Sequence, residues 1–132
     1  MAVADSHGKP IAICVASAQE GEAPLAPETV ESIFSKEKPT HLIGDKAYDS
    51  RGLYEKLLKK GIHLIAPYQG RHTNHFQDGR RLRRMKRRYK VERFFAWVKN
   101  YRRLRIRWET KVENFAGFVL LACLLILFRS YL

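Results

Sequence analysis

His41-Leu42-Ile43-Gly44-Asp45-Lys46-Ala47-Tyr48-Asp49-Ser50 is the stretch on which the fold turns. His41 to Gly44 predicts a brief buried strand that delivers Asp45 at its carboxyl end, and Ser50 stands where a helix carrying Leu53, Leu57 and Leu58 needs its cap. Residues 62–67 (IHLIAP) predict another strand. Upstream, Met1 to Ala4 and residues 10–17 (PIAICVAS) predict two strands joined by the polar turn Asp5-Ser6-His7-Gly8. Between them and His41, the pattern from Pro27 to Pro39 puts Val30, Ile33 and Phe34 on one face of a two- to three-turn helix. Strand, helix, strand, helix, strand is the order of an α/β fold, a mixed sheet flanked by helices with parallel crossovers, in which functional groups gather outside the carboxyl ends of strands. Asp45 lies at such an end.

Downstream, residues 68–80 carry two glycines and no period and predict a flexible loop. A long basic helix is expected from about Arg81 to Tyr101, with Val91, Phe94, Phe95 and Val98 as its apolar stripe. Residues 114–132 predict a final helix, and Phe115 to Phe128 is a run of fourteen residues without a polar side chain. A membrane span needs about twenty, so a helix buried in the core is expected. A shallow anchor ending at Arg129, on an anionic membrane surface, is the competing reading.

At 132 residues and 45% hydrophobic, the chain is expected to form a single domain over 1–132. Cys14 and Cys123, both in apolar runs, read as free thiols in a reducing cytoplasm, and no secretory leader is indicated. The net charge of +12 is local: residues 71–111 hold sixteen of the 25 Lys and Arg and only three acids, Asp78, Glu92 and Glu109. Such a field concentrates polyanions, so nucleic acid is the expected partner.

Asp45, at a strand end, and Glu92, within the basic helix, are the candidate metal ligands. Mg²⁺ or Mn²⁺ prefers oxygen donors and keeps waters for phosphates to displace. Arg88, Glu92 and Lys99 share one helical face, so the carboxylate is flanked by phosphate-binding cations. Two such metals would clamp the attacking and leaving oxygens of an in-line displacement. The same spacing is also that of a solvated ion-pair face, and an Asp after a strand commonly caps a turn, so spacing does not decide between these readings. Seven bases among the nine residues Arg80 to Arg88 point to phosphate contact. Trp108 and its neighbouring bases extend that surface. Trp97 and Tyr101, four apart, are either base-stacking or packing aromatics. His72 and His75 read as ordinary loop residues rather than zinc ligands.

These two segments, the aspartate block and the basic helix from Arg87 to Leu104, resemble the DDE transposases of bacterial insertion sequences, whose catalytic domain is RNase H-like. In that family a Gly/Ala-Asp-Lys-Gly/Ala-Tyr-Asp block surrounds the second catalytic aspartate, which falls on Asp45. A signature of Tyr, two residues, Arg, three residues, Glu, six residues, Lys surrounds the catalytic glutamate, and Arg88, Glu92 and Lys99 match it, with Met85 where the tyrosine would stand. The closing apolar helix is similar to that family's as well.

The resemblance implies metal-dependent DNA cleavage and strand transfer, with Asp45 and Glu92 catalytic and metal-binding. It implies Arg88 and Lys99 on DNA at the transposon ends or target, and Arg84, Arg87, Arg93, Arg102 and Arg103 are expected to add phosphate contacts. The family's first catalytic aspartate lies on a strand before the hairpin that begins this chain, and Asp5 falls in the hairpin turn. An incomplete RNase H-like fold, N-terminally truncated and inactive alone, is therefore expected. Its exposed sheet edge would invite homo-oligomerisation. A DNA-binding remnant without catalysis is the rival. No membrane partner is expected.

Overall fold

The computed structural model of the protein describes residues 1–17, 19–34, 38–68, 79 and 83–130. The predicted hairpin forms, with β1 (Ala2–Ala4) antiparallel to β2 (Pro10–Ile13). In its turn, Asp5 Oδ1 accepts from the backbone N–H of His7 (2.8 Å) and of Lys9 (2.9 Å), the Asx geometry that a short carboxylate provides. Gly8 turns the chain at φ +84°, where a side chain would be strained. The strand expected over residues 10–17 stops at Ile13.

Helix α1 spans Glu22–Glu31, earlier than the Pro27-to-Pro39 expectation. Pro24 sits in the first turn, where no N–H is needed, and Pro27 is accommodated one turn later rather than starting the helix. The shift changes the buried face to Ala26, Thr29 and Val30, and leaves Phe34 60% exposed.

The central block matches its prediction closely. β3 (His41–Ile43) leads through a 3₁₀ turn (Lys46–Tyr48) to α2 (Arg51–Leu58), and β4 (His63–Ile65) returns parallel to β3 with His41, Leu42 and Ile43 opposite His63, Leu64 and Ile65. Leu53 and Leu57 are buried beneath this crossover, and Leu58 is exposed.

The single mixed sheet is not seen: among the described residues the strands form two separate pairs, β1 with β2 and β3 with β4. A cavity of about 860 Å³ is lined mainly by one strand of each pair. Met1 to Ser6 and Thr40 to Asp45 line it, whereas β4 contributes nothing and β2 only Ile11. It therefore lies beside β1 and β3 on the sides turned away from their partners.

The helix expected over 81–101 begins, among the described residues, as a 3₁₀ segment (Arg83–Arg88) and becomes α-helical only as α3 (Tyr89–Lys99). Like charges four apart, Arg83 with Arg87 and Arg84 with Arg88, oppose α-helical turns until Glu92 supplies a counter-charge. The loop expected over 68–80, apart from Tyr68 and Gly79, lies outside the described residues. His72 and His75 lie there too.

The core has two parts, divided by the hairpin. Val3 and Ala12, one cross-strand pair, belong to one cluster with Val30 of α1, Leu42 of β3, Leu57 of α2 and Leu64 of β4. Ala2 and Ile13, the next pair, pack on Phe94, Cys123 and Ile126. This alternation follows from the twofold period of strands.

A short α4 (Arg102–Arg105) then leads to α5 (Val112–Arg129), which packs on α3, α4 and β2. The expectation that α5 is buried needs correcting: Ala122, Cys123 and Ile126 are buried, but Leu120, Leu121, Leu124, Leu125 and Phe128 are 41–58% exposed. By length and composition α5 could cross a membrane. Its Cys123 and Ile126 side nevertheless packs on Phe94, as a domain helix does.

Cys14 is half-buried and Cys123 buried, both as free thiols. Burial pushes the Cys123 thiol up from 9.0 to about 11. Burying the neutral thiol thus favours the fold below about pH 9, and that contribution fades as pH rises toward about 11. In a thiol titration at pH 8, Cys14 is expected to react first and Cys123 only on unfolding. Equal rates would mean that α5 does not hold its buried face against the domain.

Candidate functional site

Gly44 and Tyr48 set the position of Asp45. A Cβ built on Gly44 would lie 2.8 Å from Tyr48 Cγ, so the ring can rest against the chain only because residue 44 has no side chain. Asp45 then caps the 3₁₀ turn, its Oδ1 accepting from Ala47 N–H at 2.8 Å. The turn-capping role considered from the sequence is thus present. Among the described residues, no hydrogen bond engages Asp45 Oδ2, which is left able to coordinate a cation.

Tyr48 is buried, and its hydroxyl donates to Glu22 Oε2 at 3.1 Å, tying the first turn of α1 to this block. Burial raises the phenol well above its ordinary value, and the neighbouring carboxylates Glu22 and Asp45 push the same way while Arg88 opposes them. The protonated hydroxyl is therefore a fixed donor at neutral pH. Glu22 was not singled out from the sequence. It lies 26 residues from Tyr48, and only the fold brings the two together.

Glu92 enters from α3. Its Oε1 pairs with Arg88 Nη2 at 3.3 Å, the i, i+4 ion pair expected as the competing reading. Both partners are substantially exposed, so the pair contributes only about 0.3–0.5 kcal/mol and does not lock the carboxylate.

The cavity beside β1 and β3 brings these elements together. Asp45 and Glu92 both line it, as do Arg84, Arg87 and Arg88. Lys90 lines it as well, with its ammonium bonded to the Ser6 carbonyl. Asp5 lines it, but its Oδ1 is engaged in the hairpin turn.

The other expected DNA contacts lie elsewhere. Lys99 is the last residue of α3, about 10 Å along the axis from Glu92 at 1.5 Å per residue. Arg93 Nη2 donates to the His7 carbonyl at 3.0 Å. Arg103 pairs with Glu109 at 2.8 Å and lies over Phe118, while Arg102 is exposed on α4. Tyr101 is half-buried and packs beside Phe94, so it is a packing aromatic; Trp97 and Trp108 are 39% and 66% exposed.

Two carboxylates facing one cavity suit a hard divalent cation, whose preferred donors are oxygens. Among the described residues, however, no group of three or more His, Cys, Asp or Glu is placed to hold a metal ion. The donor set fits such an ion in kind and falls short in number.

Residues 1–127 match the family model described as Transposase DDE domain. Over 129 residues the chain is 33% identical to a protein of Brucella ovis named as transposase for insertion sequence element IS6501; the match covers 97% of this chain and 95% of that protein. Over 137 residues it is 29% identical to a Burkholderia cepacia protein named as transposase for insertion sequence element IS402; the match covers 97% of this chain but 61% of the longer relative. No solved structure gives a significant match.

Proposed function

Because the chain belongs to the DDE transposase family of insertion sequences, whose members act on DNA and generally use divalent metal ions, we propose that it forms the Asp45 and Glu92 part of a centre for metal-dependent DNA cleavage and strand transfer. The observation that carries this reading is the shared cavity, where carboxylates from the end of β3 and from α3 meet Arg84, Arg87 and Arg88.

In this reading Asp45 and Glu92 hold Mg²⁺ or Mn²⁺, which when bound activates the attacking hydroxyl and stabilises the leaving oxygen. Asp45, held by its bond to Ala47 N–H, offers an oxygen whose direction is already set. Glu92 gives up a weak, exposed ion pair to become a ligand, and the released Arg88 can meet a phosphate. Arg84 and Arg87 hold the DNA backbone at the mouth of the cavity, and Tyr48 steadies the turn that carries Asp45.

The missing third carboxylate belongs, we infer, on an extended segment pairing with β1 and β3 in the gap between them. Two strand edges flanking one cavity are a ready template for such a segment. With it, the two strand pairs would become one mixed RNase H-like sheet.

Titration calorimetry with Mg²⁺ and Mn²⁺ tests this, on this chain and on a form extended upstream to add an aspartate-bearing strand. Metal binding is expected only in the extended form, and Asp45→Asn or Glu92→Gln should remove it. Absence of binding in every form, with DNA present as well, would overturn the metal reading.

The second reading, a DNA-binding remnant without catalysis, draws on the engaged states of Asp45 and Glu92 and the absence of a three-ligand cluster among the described residues. It predicts salt-sensitive DNA binding that metal does not alter.

A further inference from the structure

The flank of α3 next to the one that bears Glu92 carries Tyr89, Arg93 and Trp97 in steps of four, so the three stack along one side of the helix. The Arg93 guanidinium lies 5.9 Å from the Tyr89 ring centroid and 5.2 Å from that of Trp97. It is also anchored from below. The hairpin turn docks on α3 through Arg93 to the His7 carbonyl and Lys90 to the Ser6 carbonyl. Gly8 permits this close approach, since a Cβ there would lie 3.1 Å from Arg93 Nη2.

Arg93 thus has partners within the fold besides the phosphate contact expected for it. Its guanidinium sits against two rings and a carbonyl, and the rings stay 54% (Tyr89) and 39% (Trp97) exposed. Exposed aromatic rings flanking a guanidinium in a strongly cationic surface have one natural ligand chemistry. A nucleobase presents a flat π face, and the sugar-phosphate chain on either side is drawn to the surrounding Arg and Lys. A duplex keeps its base faces inside the stack, so only unpaired nucleotides can use such rings.

We propose that Tyr89 and Trp97, spaced by Arg93, form a stacking platform for unpaired nucleotides of DNA bound along α3. This rests on the DNA reading above and adds to it a preference between strand states. It also separates two tasks on one helix: Arg88 and Glu92 face the cavity, and the aromatic flank holds bases that leave the duplex.

The test uses the full chain labelled with 5-fluorotryptophan, whose two ¹⁹F resonances are assigned with Trp97→Phe, titrated with a short single strand and with its duplex. Anisotropy of the labelled DNAs is followed in parallel at several salt concentrations. The Trp97 resonance is expected to shift with the single strand and not with the duplex. Tyr89→Ala and Trp97→Ala should each weaken single-strand binding about fivefold or more, with duplex affinity and both salt slopes unchanged, and Trp97→Phe should restore most of the loss.

A single strand that binds by anisotropy without moving the Trp97 resonance overturns the platform while leaving the DNA reading intact. The resonance test needs no ring removed, so it decides even if an alanine variant fails to fold. If neither DNA form binds at low salt, the DNA reading falls and the platform with it.

Discussion

Glu92→Gln is expected, on the proposed metal-binding role, to abolish any metal-dependent DNA cleavage by the upstream-extended form, and to leave DNA affinity unchanged or slightly higher. The substitution keeps the volume and removes one negative charge from an exposed position. Its ion pair with Arg88 is weak, so the thermal midpoint should hardly move. Freed from its partner, Arg88 remains able to meet phosphate. Loss of a direct ligand should lower metal affinity by more than the roughly 10- to 100-fold that follows loss of an outer-shell partner. Plasmid nicking in Mg²⁺ or Mn²⁺, beside anisotropy on the same DNA, reads the two quantities separately. Cleavage retained at the parent rate would remove Glu92 from the catalytic centre. Cleavage and DNA affinity lost together would make it a structural residue instead.

The second large effect is on the fold. Gly44→Val is expected to destabilise the domain by about 1–3 kcal/mol or more, because the new side chain would overlap the Tyr48 ring, with Cγ, Cβ and Cδ2 lying 2.8, 2.9 and 3.0 Å from the first added carbon. Backbone separates the colliding atoms only from residue 44 to residue 48, so no flexible end can swing aside. Displacing Tyr48 would also break its bond to Glu22 and disturb the turn that Asp45 caps. Denaturant unfolding of Gly44→Val, Tyr48→Ala and the double variant forms the check. The double variant should be clearly more stable than the sum of the singles predicts. Strict additivity would show that the two positions do not collide.

Local chemistry was readable before the fold was known, and long-range chemistry was not. The segment from His41 to Ile65 was legible because its apolar residues and turn residues act on near neighbours: Leu42, Leu53 and Leu57 fall where period and spacing put them. The division of the sheet into two pairs was hidden, since strand pairing depends on what lies between distant edges. Pro27 misled because proline marks a helix start in general but is tolerated inside α1 here. A run without polar residues has no period, so nothing in Phe115 to Phe128 distinguishes the face on Phe94 from the face in water. At the site, spacing placed Arg88 and Glu92 on one face but was silent on whether Asp45 would face the same cavity. Tyr48 and Glu22 are too far apart in sequence to be linked by any local rule.

The leucine face of α5 bears on how this protein behaves in a tube. Two copies each carrying +12 repel one another in dilute buffer, which keeps Leu120, Leu124 and Phe128 of one copy away from those of the next. At 1 M salt the Debye length shrinks to about 3 Å, and the repulsion fades while the apolar contact does not. Solubility should therefore fall as salt is added, the reverse of the usual remedy for a basic protein. Polyanions such as heparin, which occupy the cationic face without screening everything else, would be the gentler way to keep it dispersed.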